Sequence, residues 1–342
     1  MPAVFPFCAV EYNQGAGDAS GVIAPPYDVL DKAQKQALLY GDANNIVGID
    51  LPHVPAKELG PKSAYEAAGA AYRGMVESGV LTQREVPAMF AYRQTFEFEG
   101  KSYQRCGMAA TVETVAFGDR EGGGILAHEQ TFGGPKGDRK ALMEATACQT
   151  SPIFGLHPDE DGAATGIVRD VMASRDPDVT AKMSDGVLQE VWAIDDDATI
   201  KAYQEALAGE DVFVADGHHR YNTALNYLES LIEKDGEVAA DHPARRTMMV
   251  LVSMADPGLA IGPTHRVLGG MKDYDIDAFQ DACAGLLNIE AIDNNPKNFL
   301  SQMNDLAERE KTNVFGIYDY ATGLCFGAWP AIADPLEDKF PD

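Results

Sequence analysis

Asp216-Gly217-His218-His219-Arg220 places a carboxylate, two imidazoles and a guanidinium around one glycine. Before it, Val212-Phe213-Val214-Ala215 reads as a short apolar strand. After it, Tyr221, Ala224, Leu225, Leu228, Leu231 and Ile232 recur at helical spacing. The group therefore sits at a strand-to-helix junction. A helix start presents unpaired backbone N–H groups and partial positive charge, which attract anions. Glycine permits a tight turn and close approach of a ligand to the backbone. Arginine grips two phosphate oxygens through a planar fork, and histidine changes protonation near neutral pH. Together these types suit phosphate binding by Asp216, Gly217 and Arg220, with His218 or His219 moving a proton. Neighbouring side chains point apart, so one histidine is expected to face the ligand. The plain structural alternative makes Asp216 a helix cap.

A second group runs His128-Glu129-Gln130-Thr131, then Gly133-Gly134-Pro135-Lys136-Gly137-Asp138-Arg139. Glycine and proline imply an exposed loop before a helix over 138–148. Lys136 and Arg139 are isolated bases where that helix begins, which again suits a phosphate. Glu129 is a further candidate base, and His128 and Thr131 are pocket candidates. The alternative makes Asp138 a helix N-cap and His128-Glu129 a surface ion pair. In Ala24-Pro25-Pro26-Tyr27-Asp28 the second proline pushes the first toward an extended shape. This reads as a strand end entering a stiff loop that holds Tyr27 and Asp28. Pro263-Thr264-His265-Arg266, after an apolar strand, adds a His-Arg pair. Histidines and carboxylates also ligate metals, but no pair has the i, i+4 spacing of H-E-x-x-H. Magnesium accompanying a nucleotide, touched by Asp28 or Asp216, is therefore preferred to a histidine-centred metal site.

The elements that must position these groups are legible in outline. Residues 62–79 carry Tyr65, Ala68, Tyr72, Met75 and Val76 at helical spacing. Phe90, Tyr92, Phe96 and Phe98 alternate with Arg93, Thr95 and Glu97, and Glu99-Gly100 turns the chain back into a second strand. Gly122-Gly123-Gly124 makes a loop. Residues 187–194 and 247–254 read as strands, and 196–209 as a helix with an acidic start. Amphipathic segments follow near 275–287 and 296–308, then a hairpin around Ala321-Thr322-Gly323, and a polar tail expected to fray from Asp334. The fold class expected is α+β or mixed α/β, in regions 1–122, 123–268 and 269–342, with the Asp216–Arg220 junction in a cleft between two halves.

Composition narrows the partners. The chain has 342 residues, 45% hydrophobic and 23% charged, enough for a sizeable core. Fifty-three acids against 27 bases give a net charge of −26, which repels nucleic acid and anionic lipid. No apolar run is long enough for a membrane span, and the first residues lack a signal-peptide pattern, so a cytoplasmic protein acting on a small molecule is expected. The five cysteines are scattered, with no C-x-x-C, and read as small buried hydrophobes. There is no P-loop, no G-x-G-x-x-G after a strand and no G-x-S-x-G elbow.

Five segments in order, VIAPPYDVL, HEQTFGGPKGDRKAL, SPIFGL, FVADGHHRYNTAL and DPGLAIGPTHR, resemble the bacterial and archaeal family called domain of unknown function 1015. Asn222 stands where that family often carries Glu. The D-G-H-H-R box is similar to the phosphate-binding box of the ParB and sulfiredoxin superfamily, where a Gly-x-x-Arg turn at a helix start holds nucleotide phosphates. Gly217 and Arg220 match those two positions. The box of the superfamily's ADP-dependent free serine kinase reads the same. The likeness implies a ParB/sulfiredoxin-like core and a nucleotide (ATP, ADP or CTP) with magnesium. The expected function is phosphoryl transfer to or from a small hydroxylated metabolite, a serine-like amino acid being the first candidate. A phosphatase of the same metabolite class and a non-enzymatic sensing module are the alternatives.

Overall fold

A computed structural model describes all of the chain except residues 1, 14–16, 57, 130–132, 263–264 and 333–342. Contacts divide it into two units, Met1–Gly262 and Pro263–Asp342. The first is a mixed α/β unit. Its strands are β1 (Val4–Phe5), β2 (Val10–Tyr12), β3 (Gly17–Asp18), β4 (Leu81–Gln83), β5 (Met89–Phe98), β6 (Lys101–Glu113), β7 (Ile125–Leu126), β8 (Ile153–His157), β9 (Val179–Lys182), β10 (Leu188–Ile194), β11 (Val212–Asp216) and β12 (Arg246–Ser253). Its helices are α1 (Lys32–Gly41), α2 (Val47–Asp50), α3 (Lys62–Glu77), α4 (Gly133–Thr146), α5 (Ala163–Ser174), α6 (Asp197–Ala206) and α7 (His218–Asp235).

The main sheet runs β3-β9-β10-β5-β6-β12-β8-β11-β7, with β1 added on β6. β5 and β6 form the expected hairpin, Phe90 opposite Ala109 and Phe98 opposite Lys101. Its turn needs positive φ at both Glu99 and Gly100, the demand of a tight hairpin turn. The middle strands carry buried apolar residues, among them Met89, Met108, Val112, Val212, Val214, Met249 and Leu251, and with Trp192, Tyr203 and Tyr221 they make the core.

Two parallel neighbours matter for the site. β7 pairs β11 in parallel, Ile125 opposite Val212 and Leu126 opposite Phe213. The chain leaving β7 and the chain leaving β11 therefore emerge side by side at the same end of the sheet. Helices α3, α4 and α7 pack in series beside it. At Gly69 a Cβ would stand 2.4 Å from the Ala145 carbonyl oxygen, so only glycine lets α3 approach α4 this closely.

The structure differs from the sequence reading in several places. Val22-Ile23-Ala24 is not a strand but a turn and loop; Val22 N–H donates to the Ala19 carbonyl and the Val22 carbonyl accepts from Ile46 N–H. α4 starts at Gly133, not 138, because contact with α3 and α7 outweighs glycine's poor helix propensity. Residues 122–124 turn within the first unit. Four of the five cysteines are only half-buried; Cys325 is buried.

The second unit has α8 (Ile276–Cys283), β13 (Leu287–Ile292), α9 (Pro296–Glu310), β14 (Phe315–Asp319) and β15 (Leu324–Pro330). The expected hairpin is present, and β13 joins its other side to give the antiparallel order β13-β15-β14. The tail from Asp334 lies outside the described residues. Among those described, no helix is long and apolar enough to cross a membrane.

Candidate functional site

The junction after β11 is built by an irregular strand end and one glycine. Pairing with β8 slips between Val214 and Asp216, a bulge that re-aims the last residue of the strand. Gly217 then adopts φ 99°, open to glycine at little steric cost, and α7 begins. Asp216 does not cap this helix. Gly217 occupies the N-cap and no side chain caps it. The Asp216 carboxylate instead pairs with Arg220 one turn on, and Arg220 also donates to the Pro152 carbonyl. Asp216 is largely exposed and Arg220 mostly covered.

The longer α4 changes the roles of Asp138 and Arg139. Both lie in its second turn and face inward, so Asp138 is no N-cap. Arg139 is 6% exposed and is not an isolated base. Its Nε donates to Asp138 at 2.7 Å, and Nη1 donates to the Asp50 carbonyl at 2.8 Å and the Asp50 carboxylate at 3.2 Å. Nη2 stands 2.7 Å from the same Asp138 oxygen, but off the angle of a hydrogen bond, and has no acceptor of its own among the described residues. Asp138 also accepts from the Tyr65 hydroxyl at 2.7 Å, with His53 Nε2 at 3.3 Å. Lys136 is half-buried.

The prolyl loop converges on the same place. Pro26 leads into a 3-10 turn over Tyr27–Val29. The Tyr27 ring lies under the Arg139 guanidinium, 3.7 Å from its carbon. Burial pushes the Tyr27 phenol up to about 12; Arg139 and Arg220 pull against this while Asp28 and Asp138 add to it.

Between these groups is a cleft of about 30 Å³, room for one or two waters. Arg139, Arg220, Asp50, Thr150, Ser151 and Thr223 contribute to its lining. Asp50 is the residue sequence reasoning missed. It is buried, holds Arg139, and accepts from the Thr150 and Ser151 hydroxyls. A carboxylate in the apolar run Ile49-Asp50-Leu51 was the available signal, since such a position demands partners. The lining residues all belong to the first unit.

His218 turns away from Arg220. Its ring is buried, stands perpendicular to the His128 ring at 4.5 Å between centroids, and places Nδ1 3.2 Å from Glu129 Oε1. The His128 backbone N–H donates to Nε2 at 3.4 Å, which puts the ring proton on Nδ1, toward Glu129. Burial, more than the neighbouring imidazoles, lowers the His218 pKa, with Glu129 opposing. His219 is half-buried on the adjacent face. The side-by-side exit of β7 and β11 is what brings 128–129 against 218.

The structure thus puts Arg139 and Arg220 on one cleft, with Tyr27 against Arg139 and Asp216 and Gly217 beside Arg220, and places His128, Glu129 and His218 together beside the helix start; Asp28, next to Tyr27, is half-buried and does not line the cleft. His265 and Arg266 are exposed residues of the second unit. Thr131 lies outside the described residues.

Among curated proteins and among solved structures no match is found. A family model does match, over residues 4–325, that of the Protein of unknown function (DUF1015). That span takes in the first unit from its first strand and most of the second, and so the chain belongs to the DUF1015 family.

Proposed function

We propose that the protein binds a phosphate-bearing ligand, a nucleotide (ATP, ADP or CTP) with magnesium, at the start of α7, and transfers a phosphoryl group to or from a small hydroxylated metabolite. A serine-like amino acid is the substrate suggested by the likeness of D-G-H-H-R to the ParB/sulfiredoxin box and to the ADP-dependent serine kinase. That likeness is an analogy of one short box.

The observation that carries the reading is the convergence of two arginines on an uncapped helix start. Gly217 leaves the first turn of α7 without a side-chain cap, and Arg220 and Arg139 line the adjacent cleft. Arg220 is held by the Pro152 carbonyl and by one exposed carboxylate, and an incoming phosphate can replace the carboxylate. Arg139 is fixed by buried partners, and its Nη2, close to Asp138 but off the angle of a hydrogen bond, has no acceptor among the described residues. In this reading the Gly217 and His218 amides and Arg220 hold phosphate. Lys136 and Arg139 offset charge on the transferred group. Asp28 or Asp216 touches magnesium. Glu129 with His218, or His219, takes the proton from the attacking hydroxyl.

The test is calorimetric titration of ATP, ADP and CTP with magnesium, followed by an assay of phosphoryl transfer to serine. Wild type, His219→Ala and Arg220→Ala are compared. Wild type is expected to bind one of the nucleotides, Arg220→Ala to bind it at least tenfold more weakly (about 1.4 kcal/mol), and His219→Ala to lose turnover more than binding. Wild type that binds neither nucleotide nor phosphoserine overturns the proposal.

A further inference from the structure

We propose that His128, Glu129 and His218 form a site for a divalent transition-metal ion, of the two-histidine, one-carboxylate kind. One donor atom from each residue lies within 4.8 Å of the other two. His218 Nδ1 and Glu129 Oε1 are already 3.2 Å apart; an ion on Nδ1 moves the ring proton to Nε2, and the long 3.4 Å contact from the His128 amide opens as this exposed segment adjusts. Donors about 2.0–2.2 Å from a shared ion must themselves stand about 3–3.5 Å apart, so this edge of the triangle is in place. His128 and Glu129 are exposed, on the chain leaving β7, and rotation about their side-chain bonds closes the remaining edges. His218 is the fixed anchor, its ring packed at the start of α7 and 1% exposed.

Two imidazole nitrogens and one carboxylate favour zinc, manganese, iron or cobalt over magnesium, which prefers oxygen. Three protein donors leave coordination positions open to solvent or a ligand. The site is invisible as a sequence motif because its two halves lie on different strands' exits. The parallel register of β7 with β11 replaces the helical i, i+4 spacing that makes a metal motif readable. The inference goes beyond the phosphoryl-transfer reading and does not depend on it; with Glu129 and His218 on a metal, the proton acceptor of that reading is His219.

The experiment uses the full chain, stripped with a chelator and dialysed. Cobalt(II) binding is followed by visible d–d absorption and zinc binding by calorimetry, with no nucleotide present. The expected result is one ion per chain. His128→Ala and Glu129→Gln, both at exposed positions, are each expected to weaken binding roughly tenfold or more, since loss of even an outer partner of a metal ligand has effects of that size. Their combination is expected to abolish it, while His242→Ala, outside the cluster, leaves it unchanged. Circular dichroism checks that the variants are folded. A wild-type chain that takes up no cobalt or zinc overturns the proposal, as does a double variant that binds like wild type. Nucleotide titration of the same stripped protein with magnesium reads the phosphoryl-transfer proposal separately, so either can fail alone.

Discussion

The guanidinium of Arg139 lies 3.7 Å from the centre of the Tyr27 ring, joining the stiff prolyl loop to the second turn of α4. The contact is a cation over an aromatic face, strengthened by exclusion of water. It explains why one buried arginine positions three parts of the site. Asp50 fixes it to the end of α2, Asp138 to its own helix, and Tyr27 lies across it.

Arg139→Ala is accordingly expected to destabilise the protein by about 3–5 kcal/mol, because two buried carboxylates lose their cation. Urea denaturation of wild type and variant at neutral pH measures this. A loss below about 1 kcal/mol would show that Asp50 and Asp138 do not depend on the guanidinium.

Tyr27 gives a pH dependence with a definite sign. Its folded pKa is raised to about 12, above the ordinary 10 of an unfolded chain. The folded state therefore keeps a proton that the unfolded chain releases. The stability this represents is whole below about pH 10 and is lost as pH rises from there through about 12. Two units correspond to about 3 kcal/mol at most. Tyr27→Phe is expected to flatten that part of the alkaline decline, seen as a wild-type denaturation midpoint that falls relative to the variant's as pH rises from about 10 to about 12. Parallel pH curves for the two proteins would refute it.

Gly217→Ala is expected to cost about 1–3 kcal/mol, since an L-residue resists φ 99°. The added Cβ would also sit 3.1 Å from Arg220 Nε, disturbing the arginine assigned to phosphate. Gly166→Ala, inside α5 where a Cβ meets nothing within 4 Å, is the comparison. It is expected to be neutral or to stabilise by up to about 1 kcal/mol. Thermal unfolding of the pair separates backbone strain from a general intolerance of change.

Asp216→Asn removes the exposed carboxylate that holds Arg220. Its effect on stability is expected to stay within about 1 kcal/mol, as for other surface pairs. Binding of ADP without magnesium is expected to tighten a few-fold, because the ligand no longer competes with Asp216. Arg220→Lys is expected to weaken it, since an ammonium cannot replace a two-pronged fork. Calorimetry reads both. Tighter binding by Arg220→Lys would remove Arg220 from the phosphate site.

Local pattern alone carried the β5–β6 hairpin, α3, the strand before Asp216 and the helix after it. In each, neighbouring residues decide the outcome: side chains alternate across a strand or return every turn of a helix, and one positive-φ glycine turns the chain. The location of a chemically loaded junction at Gly217 follows from the same local rules. Partnerships do not. Arg139 looked like a lone base because the carboxylate of Asp50 is distant in sequence, and because packing of α3 and α7 against α4 extends that helix back through glycines that disfavour it. The alternative of Asp216 as a helix cap fails because a bulge against β8 re-aims the strand end and its carboxylate pairs with Arg220. His128 and Glu129 meet His218 only because β7 lies parallel to β11. Which charges meet is settled by sheet order and helix packing, where distant segments share one buried space and each buried charge must find an opposite one.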